Sequence, residues 1–572
     1  LPETKLGILP GFGGTQRLPR LIGLPKALDI ILAGKTLKPG QARSYGLVSE
    51  IVPYPQLVER AEAILLKRQR TKEKSISLID KFLTFTSPGR KIVQRGAEKQ
   101  IQRATKGFYP AQPAALQSCL FGLQKGLKAG FDFEAKELGR LLVTPESKAL
   151  VRLFFLTEDA KGIGRSARAG VSEMRAVVVG AGIMGAGIAS SLARRDIHVV
   201  LKDTSQQALD KAIAHIKEFL DKRRHLKEKE KSFILNRIET TTSDSANIGN
   251  ATIAIEAIVE RMDVKKAVFS SLSEAMPEDA ILATNTSSLS VSEIAESVKH
   301  PERVVGMHFF NPVEKMPLVE IVRGEKTDER TTAVVAALTS KLGKFPIVVQ
   351  DVPGFLVNRI LTPYLNEAGF LLVDGYSISD IDSAAVSFGM PMGPVRLLDE
   401  VGLDVAMHVS EVMVEGYGSR MKSPGLVSKM VQASRLGKKS GKGFYDFSSS
   451  PSRPAEDIVD LLGLKRERDL GDKKVVIDRL VMSLINEAVL CLDEGVAGTP
   501  GEEAAKQIDL GTVMGTGFPP FRGGLLFYAE GLGAKAILQT LRHLEKQHGD
   551  RFQPVRGIVD RAESGKSFFS AS

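Results

Sequence analysis

Two constellations in this 572-residue sequence are suited to chemistry. One is His308, in Gly306-Met-His308-Phe-Phe-Asn-Pro312, with Glu320 close behind in Leu318-Val-Glu320. Imidazole titrates near neutrality and serves as a proton acceptor, and a carboxylate bonded to its second nitrogen fixes the tautomer and stabilises the imidazolium. Removal of a hydroxyl proton, while hydride leaves the same carbon, needs that pairing. Spacing alone leaves open a histidine with a purely structural role. The other constellation is Gly180-Ala-Gly182-Ile183-Met184-Gly185, with Asp203 eighteen residues beyond Gly185. Gly180 permits a tight turn, Gly182 lets a pyrophosphate approach the backbone, and Gly185 lets a helix close on a strand. Asp203 is placed to accept hydrogen bonds from ribose hydroxyls and to repel a 2′-phosphate, so the expected cofactor is NAD rather than NADP.

Both need a strand end to stand on. Arg175-Ala-Val-Val-Val179 reads as a strand, the glycine turn follows, Ile188 to Arg195 continues as helix, and His198 to Asp203 is a second strand. Strand, helix, strand within about thirty residues is a βαβ unit and implies a parallel sheet. Further strands are expected at Thr252–Glu256, Ile281–Thr284, Val304–His308 and Ile347–Gln350, each separated by helix. His308 then lies at a strand's carboxyl end, where open α/β sheets bind ligands. The uncharged stretch Ala176 to Ala193 is long enough to suggest a membrane span, but four glycines and flanking Arg175 and Arg194 favour strand, turn and buried helix.

Before this region, a Gly-rich turn at Leu9–Thr15 leads into helices. One helix closes on Gly46 and is expected to pass into a short strand at Leu47-Val48. After it the chain is helical and repeats itself: Arg359-Ile-Leu-Thr-Pro-Tyr-Leu-Asn366-Glu-Ala returns as Arg479-Leu-Val-Met-Ser-Leu-Ile-Asn486-Glu-Ala, offset by 120 residues. Each copy runs on through a Gly and an Ile-Asp pair, Gly375 with Asp382 and Gly495 with Asp509. Ser448–Pro454 reads as the linker between the copies. The expected domains are 1–65, 66–172, 173–351, 352–449 and 450–572.

The composition is that of an ordinary globular protein, at 43% hydrophobic and 25% charged residues. Two distant cysteines, Cys119 and Cys491, exclude a disulfide framework and suit a reducing compartment. The net charge of +11 is concentrated: Lys67 to Lys106 holds twelve Lys/Arg against three acids. Such a segment reads as a solvated helical face or as a surface for phosphorylated ligands or anionic lipid. No aromatic interleaving supports nucleic acid. No metal is expected. A chain opening on Leu1-Pro-Glu-Thr rather than Met reads as a fragment.

Residues 173 to about 449 resemble the L-3-hydroxyacyl-CoA dehydrogenases. The resemblance rests on Gly180–Gly185, Glu256-Ala-Ile-Val-Glu260, Asn285-Thr-Ser-Ser288, His308-Phe-Phe-Asn-Pro312 and Pro353-Gly-Phe-Leu-Val-Asn358-Arg359, in that order. It implies His308 as catalytic base, Glu320 as its partner, and Ser287 and Asn358 as polar groups beside the reacting oxygen. It also implies Glu260, Lys265 and Asn285 at the nicotinamide end of NAD. Leu1 to Arg17 resembles the later part of the crotonase (enoyl-CoA hydratase/isomerase) fold, with Glu3 matching the second carboxylate of its acid–base pair. The first falls before Leu1, so hydratase activity is expected to be lost here. The whole order is similar to the α-subunits of bacterial fatty-acid oxidation multienzymes: partial crotonase segment, helical linker, α/β Rossmann domain and two all-α dehydrogenase modules. That resemblance implies acyl-CoA as substrate, a thiolase β-subunit in an α2β2 complex, a cytoplasmic location (mitochondrial in a eukaryote) and peripheral membrane contact through the basic linker. A non-catalytic NAD-binding scaffold is the alternative, and the intact Ser287, His308, Glu320 and Asn358 argue against it. A NADP-linked dehydrogenase of free hydroxy acids lacks the His308–Pro312 context.

Overall fold

In the computed structural model, which describes residues 1–66, 76–171, 173–223, 226–243, 248–465 and 472–570, the β-branched run Arg175–Val179 becomes strand β1 of an eight-stranded sheet. The other strands are β2 (His198–Lys202), β3 (Ile238–Thr241), β4 (Ile253–Glu256), β5 (Ile281–Thr284), β6 (Val304–Phe309), β7 (Leu318–Arg323) and β8 (Phe345–Gln350). They lie in the order 3-2-1-4-5-6-7-8. The order reverses between β1 and β4, the crevice where doubly wound sheets bind dinucleotides. Strands β4, β5 and β6 are buried along their whole length, as the aliphatic runs require of strands covered on both faces. Ala176–Ala193 is β1, the glycine turn and the helix Ile183–Ala193. Among the described residues no helix is long and apolar enough to cross a membrane.

Two strands escape the sequence pattern. β3 is a short edge strand, Ile238-Glu-Thr-Thr241, with only Ile238 buried. β7 returns antiparallel to β6, while the other pairings in this sheet are parallel. The expectation that every strand is followed by a helix fails here, and chain length explains it. Only Phe310–Pro317 joins β6 to β7, too short for the crossover that parallel neighbours need.

The repeat appears as two long helices, Val357–Val373 and Lys473–Asp493, packed together and exchanging buried ion pairs. Arg359 Nε lies 2.7 Å from Glu487, and Arg479 Nε lies 2.5 Å from Glu367. The outer partners repeat too: Arg359 meets Glu494 and Arg479 meets Asp374, again 120 residues apart. Asn366 and Asn486 donate to Met421 O and Gln553 O, and Asp382 and Asp509 accept N–H groups from the starts of the helices Pro394–Val401 and Leu525–Leu532. Ser448–Pro454 is not a free spacer. Its end folds back so that Arg453-Pro454 (β10) pairs with Tyr445-Asp446 (β9).

A second unit comprises Leu1–Phe154 with Pro520–Gly523. Its core gathers Leu9, Ile22, Leu24, Ile31, Ala115 and Cys119. The carboxylate of Glu134, on the helix Leu127–Leu142, accepts from Gly13 N and Thr15 N at 2.6 and 3.1 Å and from the Thr15 hydroxyl. It thereby satisfies the free N–H groups at the start of the helix Gly14–Ile22. The helix Pro39–Tyr45 closes on Gly46 in the left-handed region, but the expected strand at Leu47-Val48 does not form. Among the described residues of this unit there is no strand for it to pair with. The basic segment lies on the helices Leu78–Phe85 and Ser87–Thr105, and its part at 67–75 is outside the described residues.

Candidate active site

The turn Gly180–Gly182 connects β1 to the helix Ile183–Ala193 at the switch point. Gly180 has φ +104°, a conformation that side chains rarely adopt. A Cβ on Gly185 would sit 1.8 Å from Gly180 O, so only glycine lets this helix start so close to the strand. A Cβ on Gly182 meets nothing within 4 Å, which leaves open space beside the free N–H groups of the first turn, including those of Ile183, Met184 and Gly185. Phosphate at a helix N-terminus fits that space. Asp203 follows β2, and its carboxylate accepts from Ala181 N (2.8 Å) and Ser205 N (2.9 Å). It therefore stands at the turn. The residues present fit NAD.

At the far side of the switch point the strand ends carry a continuous polar chain. Lys265 is 1% exposed and bridges Glu256 (2.7 Å) and Glu260 (3.2 Å). Glu256 also accepts from Thr284 Oγ1 at 2.7 Å, and Glu260 from Thr286 Oγ1 (2.6 Å), Ser287 N (2.8 Å) and Ser287 Oγ (3.1 Å). Burial works against ionisation of Glu260, but the Lys265 ammonium and these donors outweigh it and hold the carboxyl below its usual range. Asn358 Nδ2 donates to Ser287 O at 3.0 Å, and Asn285 Oδ1 accepts from Phe309 N at 2.8 Å. The chain thus ties β4, β5 and β6 to the first repeat helix.

His308 Nδ1 lies 2.7 Å from Glu320 Oε2, with the glutamate side chain wholly buried and the histidine 7% exposed. They are direct register partners across β6 and β7. The second Glu320 oxygen accepts from Leu356 N (3.2 Å) and Val357 N (2.9 Å), the start of the helix Val357–Val373. The carboxylate therefore sits on a helix N-terminus, which favours its negative charge. A carboxylate oxygen facing Nδ1 acts as acceptor, which places the imidazole proton on Nδ1 and leaves the lone pair on Nε2. Gly354 (φ +71°) and Phe355 (φ +51°) take the left-handed turn that aims this helix at Glu320, and the buried Phe355 ring lies 5.8 Å from the imidazole. The Phe310 ring lies at 4.5 Å.

Three contributors are not legible as site residues in the sequence. The N–H groups of Leu356 and Val357 carry no side-chain signature. Thr286 acts only through Glu260. Lys344, 7% exposed, donates to Val313 O (2.5 Å) and Met316 O (2.6 Å) and so anchors the Phe310–Pro317 connection. Burial pushes its ammonium down to about 8 despite the opposing pull of Glu314. Glu3 lies in the other unit, at the start of the short 3₁₀ turn Glu3–Leu6, with Oε2 buried and without a hydrogen-bond partner among the described residues.

A doubly wound sheet with a dinucleotide turn and a His–Glu pair against a helical module is the frame of a nicotinamide-dependent dehydrogenase. Residues 175–352 match the family model for the NAD binding domain of 3-hydroxyacyl-CoA dehydrogenase, 354–447 that for its C-terminal domain, and 1–108 that for enoyl-CoA hydratase/isomerase. The chain is 40% identical over 579 residues to the fatty acid oxidation complex subunit alpha of Shewanella loihica, covering all of this chain and 81% of that one. The figure for the subunit alpha of Vibrio vulnificus is 39% over 573 residues, covering 80% of it. The crystal structure of 3-hydroxybutyryl-CoA dehydrogenase from Escherichia coli superposes with a TM-score of 0.59 at 29% identity, over 68% of this chain and 98% of that one. The chain belongs to the family of fatty acid oxidation complex α subunits. It is an NAD-dependent 3-hydroxyacyl-CoA dehydrogenase of fatty-acid β-oxidation that also carries a hydratase/isomerase-type segment.

Proposed function

We propose that His308 is the general base of the dehydrogenase and that Glu320 orients it and stabilises the imidazolium. The observation that carries this reading is the double grip on Glu320, with one oxygen on His308 Nδ1 and the other on the N-terminus of the helix Val357–Val373. NAD bound over the glycine turn supplies the hydride acceptor. Ser287 and Asn358, joined to each other, hold the 3-hydroxyl, and His308 Nε2 takes its proton. Glu260, Lys265 and Asn285 shape the nicotinamide end, Gly180, Gly182, Ile183, Met184 and Gly185 carry the pyrophosphate, and Asp203 carries the ribose. The test is reduction of acetoacetyl-CoA by NADH. His308→Ala should lower turnover by about 10²- to 10⁴-fold with NADH binding intact. Near-normal turnover in a folded His308→Ala protein would overturn the assignment.

The substrate is an acyl-CoA, entering the cleft between the sheet and the helical modules. The partner is a thiolase β-subunit, which the relatives' designation as α subunits of a complex supports; co-purification tests it. A bacterial cytoplasm, or a mitochondrion in a eukaryote, is the matching location. In the first unit Glu3 is an acid–base carboxylate of the hydratase. The helices Leu78–Phe85 and Ser87–Thr105 expose Leu78, Ile79, Phe82, Phe85 and Ile92 together with Lys81, Lys91 and Arg95. That mixture supports peripheral contact with an anionic membrane, testable by vesicle sedimentation of a variant with Lys91 and Arg95 reversed to Glu.

A further inference from the structure

From its aspartate to the glycine that closes the helix, the second helical copy is one residue longer than the first. In the first, Asp382 is followed seven positions later by Gly389, which ends the helix Ile378–Phe388. In the second, Asp509 is followed eight positions later by Gly517, and the helix Glu502–Gly511 runs into a π-helical turn, Thr512–Thr516. The Gly517 N–H bonds to Thr512 O, five residues back. A single inserted residue in a helix is absorbed as such a turn, and π-turns concentrate at functional sites.

This turn lies against the backbone that holds Glu320. A Cβ on Gly515 would stand 2.9 Å from Leu318 Cδ2 and 2.9 and 3.0 Å from the two Val357 methyl carbons. A Cβ on Gly511 would stand 3.0 Å from Ile347 Cδ1 and 3.2 Å from Leu356 Cδ2. Leu356 and Val357 are the residues whose N–H groups grip Glu320, and Leu318 is on its strand. The same copy also occupies the open edge of β8: Val348 N donates to Gln507 Oε1 and Gln350 N to Val496 O, both at 2.8 Å.

We infer that the second helical copy is a positioning element of the dehydrogenase: its one-residue insertion forms a glycine-faced π-turn that seats Leu356 and Val357 so that their N–H groups hold Glu320 against His308. The inference rests on the His308–Glu320 reading above. It explains why a copy that brings no nucleotide-binding sheet of its own keeps glycine at both 511 and 515.

The test uses the full chain with 3-hydroxybutyryl-CoA and NAD. Gly515→Ala should lower kcat about tenfold, since small misplacements of catalytic groups cost that much, while KM and NADH affinity stay unchanged and the pH–rate profile shifts. Adding Val357→Ala, which removes the two methyl carbons that the new Cβ meets, should restore much of the loss. Gly511→Ala, with looser contacts, should lower kcat about threefold and serves if Gly515→Ala does not fold. Gly531→Ala, in the same copy with nothing within 4 Å, should leave kcat unchanged. Glu320→Gln is measured alongside. If Glu320→Gln is crippled while folded Gly515→Ala and Gly511→Ala keep normal kcat and pH profile, the positioning role is overturned. If Glu320→Gln itself turns over normally, the His–Glu reading fails instead.

Discussion

His308 and Glu320 face each other directly across the one antiparallel pairing of the eight-stranded sheet, Nδ1 to Oε2 at 2.7 Å. The imidazole is thereby fixed at one nitrogen, and the other is the base proposed above. Glu320→Gln cannot accept at Nδ1 as a charge and offers an N–H instead, which disfavours the needed tautomer. It should lower kcat by about 10²- to 10⁴-fold, as loss of the orienting carboxylate does in His–Asp pairs. Steady-state kinetics and NADH fluorescence titration check this, and a weakened NADH affinity with normal kcat would contradict it.

The glycines of the nucleotide turn should separate by function. Gly182→Ala places a methyl in open space at an ordinary φ, so the protein should keep its melting temperature but lose NADH affinity. Gly185→Ala drives a Cβ to 1.8 Å from Gly180 O and should cost stability outright. Calorimetry beside NADH titration distinguishes the two; equal effects on both properties would count against the cradle.

Asp203→Ser should weaken NADH binding by about 10- to 100-fold, the worth of hydrogen bonds to a charged group, and narrow the preference over NADPH. Competing assays with the two cofactors measure it. An unchanged preference would remove Asp203 from the ribose site.

Lys344 gives a pH signature. Its folded-state pKa, about 8, lies below its ordinary value of 10.5, so the folded protein binds fewer protons than the unfolded chain between those limits. Wild type should therefore gain stability relative to Lys344→Met as pH rises from 8 to 10.5, by at most about 3 kcal/mol. Lys344→Met should also release the Phe310–Pro317 connection and lower kcat. Denaturant unfolding at pH 8 and 10 checks the sign.

The crossed ion pairs should behave as a coupled set. Arg479→Ala leaves Glu367, 2% exposed, with Arg551 alone, and should cost roughly 3 kcal/mol, the lower end for a broken buried pair. Arg479→Met with Glu367→Met should recover most of it. Additive losses in urea unfolding would show that the pairs are not coupled.

How much of this was legible in the primary structure follows from which forces act locally. The glycine turn, β1, β2, β5 and the repeat were readable because turn conformation, aliphatic runs and repetition are properties of neighbouring residues. His308 and Glu320 were nameable as chemistry, since their types and separation suit a base and its partner. The tertiary structure decided what long-range packing decides. An eight-residue connection turned β7 antiparallel and set the glutamate opposite the histidine. A helix that starts at Val357, thirty-seven positions after Glu320, supplied its second grip through backbone N–H groups that no side chain announces. The polar β3 and the unpaired Leu47-Val48 show the converse: strand formation depends on an available neighbour as well as on local residue type.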